Sequence, residues 1–200
     1  MTTYFMPAME KIEDRIPLSL RIRQDLSAMH TMVEAHPRLA ILISPNLMSA
    51  DYIGVLARLY GFYLPLEEAL LANQTWIPDV LRSAPRWPRL VADLSWWGVN
   101  TSSLPVAPAA KLPSVHTAEA AVGVAYVLEG AALGGRLIAQ HVQKTLKLEL
   151  PRGISFHAEG NKAASHWNRV REALDDYPDH SHEAIIASAA RTYQALHDWV

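Results

Sequence analysis

The chain has 200 residues, a net charge of −2 and no cysteine. That length suits one domain with a substantial core, and the lack of cysteine removes disulfides, thiolate metal sites and cysteine nucleophiles. The charge balance offers no basic stripe for nucleic acid, no apolar run reaches the roughly 18 residues of a membrane span, and charges from Glu10 to Arg15 arrive too early for a signal peptide.

Residues 1–16 read as a poorly ordered N-terminal segment and 17–200 as one all-α domain; a cytoplasmic location fits this composition. A first helix follows Pro17 and runs to about Ala35, with Ile22, Leu26, Met29 and Val33 spaced as one apolar stripe. A second runs from Ser49, read as its N-cap, to Ala72, with Pro65 expected to kink or locally end it. Shorter helical pieces cover Asp79 to Ser83 and Arg86 to Trp97. Residues 98–116, which hold Gly98, Asn100, Pro105, Pro108 and Pro113, read as an extended connection without structure of its own. A long helix then spans Thr117 to Leu146. A loop from Pro151 to Gly160 leads to a helix from Asn161 to Asp176, and a last helix runs from Ser181 to Val200. No alternating strand pattern is present.

The most informative segment is Tyr126-Val127-Leu128-Glu129-Gly130-Ala131-Ala132-Leu133-Gly134-Gly135. Each glycine inside a helix costs about 1 kcal/mol relative to alanine, so three within six positions imply a need for bare backbone. Gly130 and Gly134 share a face, and with Gly135 and Ala131 they leave a strip open either to a close helix crossing or to a flat ligand.

Nine histidines are present. His116, His180 and His182 read as solvated, and His157 and His141 have no evident partner. His30 differs: it flanks the apolar stripe of the first helix, with Glu34 four residues on, within ion-pair reach. Taken by itself it reads either as a satisfied core residue or as a ligand. No HExxH or Ser-His-Asp pattern supports a zinc or hydrolytic site.

These residues together resemble the bacterial heme oxygenase family. Leu20 to Glu34 is similar to the family's proximal helix, in which a histidine binds heme iron and an acidic residue follows four positions later. Tyr126 to Gly135 is similar to its distal-helix signature, Y-x-x-E-G-[small]-x-L-G-[small]. Asp51-Tyr52-Ile53, His166-Trp167 and Ala190-Arg191-Thr192-Tyr193 also fall where family members carry similar residues, colinear over residues 18–197. The resemblance is nearer to heme oxygenases that accompany bacterial phytochromes than to the animal enzymes.

The resemblance implies a helical bundle with heme between a proximal and a distal helix. The implied reaction is oxidative cleavage of heme to biliverdin, carbon monoxide and free iron. Heme is then both substrate and oxygen-activating cofactor, and O2 and an external reductase or ferredoxin-type electron donor are required. A phytochrome that accepts biliverdin is the implied further partner. His30 would be the iron ligand and Glu34 would fix its ring. Gly130 and Gly134 would let the distal backbone crowd the porphyrin and direct oxygen to a meso carbon, with Gly135 beside them. Arg23, Tyr126 and Arg191 would hold the heme propionates, arginine suiting carboxylates through its forked geometry. Ala131 departs from the family, which often carries a polar or acidic side chain there to hold distal water. That departure keeps one alternative in view, a heme-binding or heme-transfer protein of the same fold that does not degrade heme. A thiamin-degrading relative would need a cysteine nucleophile, and a dimetal relative would need a Glu/His set that the chain does not show.

Overall fold

The computed structural model describes residues 16–149, 152–158 and 163–200. Of the expected N-terminal segment, 1–15 lies outside the described residues, as do the ends of the 151–160 loop and Asn161, the expected start of the helix after it.

The described residues form α-helices and short 3-10 turns. The first expected helix is two, α1 (Leu18–Asp25) and α2 (Ser27–Glu34). The chain turns at Leu26, where the Ser27 hydroxyl donates to the Gln24 carbonyl at 2.9 Å. Serine competing locally for a backbone acceptor is a usual way to interrupt a helix. A one-turn α3 (Pro37–Ala40) follows, then α4 (Ser49–Ala72). Ser49 is the first residue of α4 and not its cap. The Asp51 carboxylate instead accepts the N–H of Met48 at 3.0 Å.

Pro65 neither ends α4 nor leaves its backbone unsatisfied. Proline has no N–H to donate to the carbonyl four residues earlier, here Gly61. That carbonyl accepts the N–H of Ala107 at 2.8 Å instead. The 98–116 connection therefore crosses α4 at Gly61, where a Cβ would collide with the Pro105 carbonyl. The connection carries two 3-10 turns, Thr101–Ser103 and Ala109–Lys111. The expected piece at Asp79 is likewise a 3-10 turn, Asp79–Leu81, and α5 spans Trp87–Trp96.

The centre of the domain is α6 (Ala118–Leu146). Thr117 caps it by accepting the Ala120 N–H at 3.1 Å, and Lys147 ends it in the left-handed region at φ 55°. From Ala120 to Glu129 every residue is buried. This helix is long and apolar enough by composition to cross a membrane, but 56% of that stretch is buried inside the domain, as in a core helix. After the one-turn α7 (Ser155–Ala158) come α8 (Ala163–Asp175) and α9 (Asp179–Trp199).

Helix α6 also crosses α9 closely. A Cβ on Gly123 would lie 2.5 Å from the Ile185 carbonyl oxygen and 2.6 Å from the Ser188 Cβ. The Ser188 hydroxyl donates to the Ala120 carbonyl at 2.7 Å across the same interface. The close crossing therefore falls at Gly123, outside the strip that the sequence singled out. The apolar residues of α1, α4, α5, α6 and α9 make one contiguous core.

Candidate functional site: the cleft between α2 and α6

Both α2 and α6 pack on α9, so one helix supports the two sequence-selected segments. On α2 the His30 side chain is 55% exposed, so it is no core histidine. Its Nδ1 lies 3.3 Å from a Glu34 carboxylate oxygen, one helical turn on. Tyr193 of α9 meets the imidazole edge to face, with centroids 5.9 Å apart and planes at 81°. The ring is thus fixed by two contacts, and Nε2 is the nitrogen left for a ligand bond.

On α6 the glycines divide. Gly134 is exposed, and a Cβ there would meet nothing within 4 Å. Ala131 is exposed and Gly130 half-buried; a Cβ on Gly130 would come 3.4 Å from the Trp167 ring. Gly130, Ala131 and Gly134 therefore make an open strip. Gly135 does not join it. It is buried, and a Cβ there would stand 2.8 Å from the His157 carbonyl oxygen. Gly135 is a packing glycine because the 152–158 segment presses on that side of α6. Asp93 of α5 holds the segment there, accepting the N–H groups of Ser155 and Phe156, each at 2.8 Å.

Tyr126 is 6% exposed, its ring 5.1 Å from that of Trp167. Burial pushes its hydroxyl pKa up, while the nearby charges of Arg23 and Arg171 pull it back. Burial also pushes the Tyr193 hydroxyl up, with Tyr126 and Glu34 adding to the effect. Tyr126, Tyr193, Glu34, Arg23 and Arg171 thus share one electrostatic neighbourhood, and both phenols stay protonated as hydrogen-bond donors. Arg191 stands apart from this group. It lies on the exposed stripe of α9 with Ala184, Ala187, Gln194 and Asp198. Two helix positions apart, Arg191 and Tyr193 point to different sides.

Several relationships here have no local sequence signal. Arg171 carries no mark in the sequence at all; Trp167 and Tyr193 fall in segments that the family resemblance marks, but the contacts they make depend on where α8 and α9 dock. Three histidines also depart from the sequence reading. His182 is 2% exposed, with Nε2 2.9 Å from the Tyr177 carbonyl oxygen. His141 Nε2 lies 2.8 Å from the Ser44 carbonyl oxygen. His157 is 4% exposed and shares a 3.0 Å hydrogen bond with the Tyr52 hydroxyl. Each finds its partner across a tertiary contact that spacing along the chain does not reveal.

With that geometry in place, the comparisons give it a class. The heme oxygenase family model matches residues 16–200, and the chain belongs to that family. It is accordingly an enzyme of heme degradation, producing biliverdin. Among solved structures, heme oxygenase from Leptospira interrogans is 20% identical, with TM-score 0.72 over 92% of this chain and 98% of that one. Heme oxygenase-1 from the cyanobacterium Synechocystis, solved in complex with heme, is 18% identical, with TM-score 0.75 over 92% and 90%. The heme oxygenase of Neisseria meningitidis, solved with NO and CO bound, is 20% identical, with TM-score 0.69 over 92% of each chain. At these identities the likeness establishes the shared fold. A sequence comparison with curated proteins finds no significant match.

Proposed function

We propose that the chain performs its family's reaction on a heme lodged between α2 and α6, with His30 as the iron ligand. The observation that carries this reading is the pairing of an exposed, oriented imidazole with an open backbone strip on the opposite helix. The residues fit a porphyrin. One ring nitrogen of His30 is engaged by Glu34 while the other is available, and the space beside Gly134 is empty to 4 Å. Arg23 and Arg171 provide positive charge for propionates near the Tyr126 hydroxyl.

Bound heme supplies the iron that activates oxygen. Glu34 and Tyr193 hold the His30 ring in one orientation, which would spare an iron ligand most of the entropic cost of fixing the ring. Gly130 and Gly134 keep side chains off this face of α6, which would leave a bound heme room to lie close to the backbone. Ala131 brings no acid to that face. Protons would have to be delivered there by water. Arg23, with Arg171, would hold the propionates and fix the rotation of the macrocycle.

Reducing equivalents come from an external reductase or ferredoxin-type donor, and the cytoplasm is the compartment where such a donor operates. The likeness to phytochrome-associated members extends the proposal to a phytochrome as acceptor of biliverdin. A dimetal oxidase finds no support, since among the described residues no three His, Asp or Glu side chains are grouped to hold a metal ion.

Reconstitution with hemin followed by a reducing system tests the reading. Loss of the Soret band with growth of a biliverdin band is the expected result. A stable Soret band under reduction and oxygen identifies a heme carrier instead, and failure to bind hemin overturns the proposal.

A further inference from the structure

Glu129, inside the distal-helix signature, points away from the open strip and into a buried polar cluster. Its carboxylate accepts from the Arg86 guanidinium at 2.8 Å, and the two side chains are 6% and 9% exposed. The same carboxylate oxygen lies 3.1 Å from His166 Nε2. Arg86 also donates to the Leu128 carbonyl, so it grips α6 through two adjacent residues. Arg86 is itself held by α4. One Glu67 oxygen accepts the N–H of Arg86 at 2.8 Å and that of Trp87 at 2.9 Å, and Tyr63 adds a side-chain hydrogen bond to Arg86. From the other side, His166 is followed by Trp167, whose ring covers Gly130 and Tyr126. The cluster thus ties α4, the start of α5 and α8 to the turn of α6 that carries Gly130.

We propose that Glu129 is a positioning residue: through Arg86 and His166 it sets where Gly130 and the Trp167 ring stand relative to the cleft. This rests on the proposed heme site, since the cleft is what the positioning serves. Glu129 does not touch the cleft. Its effect is mechanical. Arg86 pins the backbone at Leu128, two residues before the open strip begins at Gly130, while His166 fixes the start of α8 against the same carboxylate. A buried charge pair is weak evidence for net stability, since desolvation offsets much of the attraction. Its planar, multiply bonded geometry specifies position, which is what an oxygen-activating gap needs.

The test uses the full chain with two readouts. Hydrogen exchange of the apo protein, followed by mass spectrometry, reads peptides covering residues 126–136 against peptides of α9. Turnover of bound hemin is measured in parallel with hemin affinity. In Glu129→Gln, which keeps shape and removes charge, exchange over 126–136 should rise about tenfold while α9 is unchanged. Hemin affinity should move less than about threefold and turnover should fall by about tenfold or more, the split expected of misplacement. His166→Ala leaves the Arg86–Glu129 bridge in place and should shift both readouts in the same direction by a smaller factor. If Glu129→Gln fails to fold, His166→Ala alone decides. Wild-type exchange and wild-type turnover in the variant that folds overturn the positioning role. A wild-type protein that fails to bind hemin overturns the heme reading instead, and the exchange readout still reports on the clamp.

Discussion

His30 and Tyr193 meet edge to face, 5.9 Å between centroids, although 163 positions separate them in the chain. Edge-to-face aromatic contacts contribute about 0.5–1.5 kcal/mol beyond burial. That suffices to choose an orientation for a ring whose other restraint is the exposed contact with the Glu34 carboxylate. An exposed histidine held this way is prepared to bind something from the solvent side.

Replacing His30 with Ala should remove the native Soret spectrum and turnover. The side chain is exposed and gives up mainly its Tyr193 contact, so apo stability should fall by only about 0.5–1.5 kcal/mol. Added imidazole should restore part of the spectrum. An unchanged spectrum and full activity in His30→Ala would show that another group holds the iron.

The glycines of α6 should separate by position. Gly134→Ala should leave the apo protein unchanged or stabilised by up to about 1 kcal/mol, because alanine is the better helix former and nothing obstructs its Cβ. Gly123→Ala drives a Cβ into the α9 backbone, and overpacking there should cost about 1–3 kcal/mol. Gly134→Leu should stay folded and lose heme turnover. Thermal melts of the apo variants alongside turnover assays check the set; a destabilised apo Gly134→Leu would mean that the space beside Gly134 is filled by protein.

Propionate anchoring should depend on Arg23 and Arg171 more than on Arg191. Losing one exposed cation should weaken hemin binding by only about 1 kcal/mol or less. The larger effect should be on which meso carbon is attacked. Chromatography of the biliverdin isomers from Arg23→Ala, Arg171→Ala and Arg191→Ala reads this directly, and an unaltered ratio in the first two would refute the anchoring.

Acid stability should be limited by His157. Burial lowers its pKa to about 4 from an unfolded value of 6.5. The unfolded chain therefore binds this proton first, and stability falls as pH drops from 6.5 to 4, by about 3 kcal/mol in all. Glu67 works in the opposite sense. Burial raises its pKa to about 7 from 4.5, so the folded state holds that proton more tightly and stability falls as pH rises from 4.5 to 7. Denaturant titrations across pH 4–8 on His157→Gln and Glu67→Gln test the two signs. A variant that keeps the wild-type slope on its own side of the profile would show that a different group titrates there.

The sequence by itself determined the helical class, the extent of α6, and the identity of His30, Glu34, Gly130 and Gly134 as the residues to examine. These are local properties. Helical period and interior glycines are written along a single stretch of chain, and each acts within a few residues of itself. The sequence did not reveal which glycines face open space and which face backbone. Gly134 and Gly135 are neighbours in sequence, and only the docking of the 152–158 segment, held by Asp93, distinguishes them. Nor did it show that Pro65 would be accommodated, because the bond that replaces the missing one comes from Ala107, 42 residues later. The buried partners of His157, His182 and Glu129 belong to the same category. A polar side chain inside a core must find its hydrogen bond wherever the packing of other helices brings one, and that choice is made by the tertiary fold.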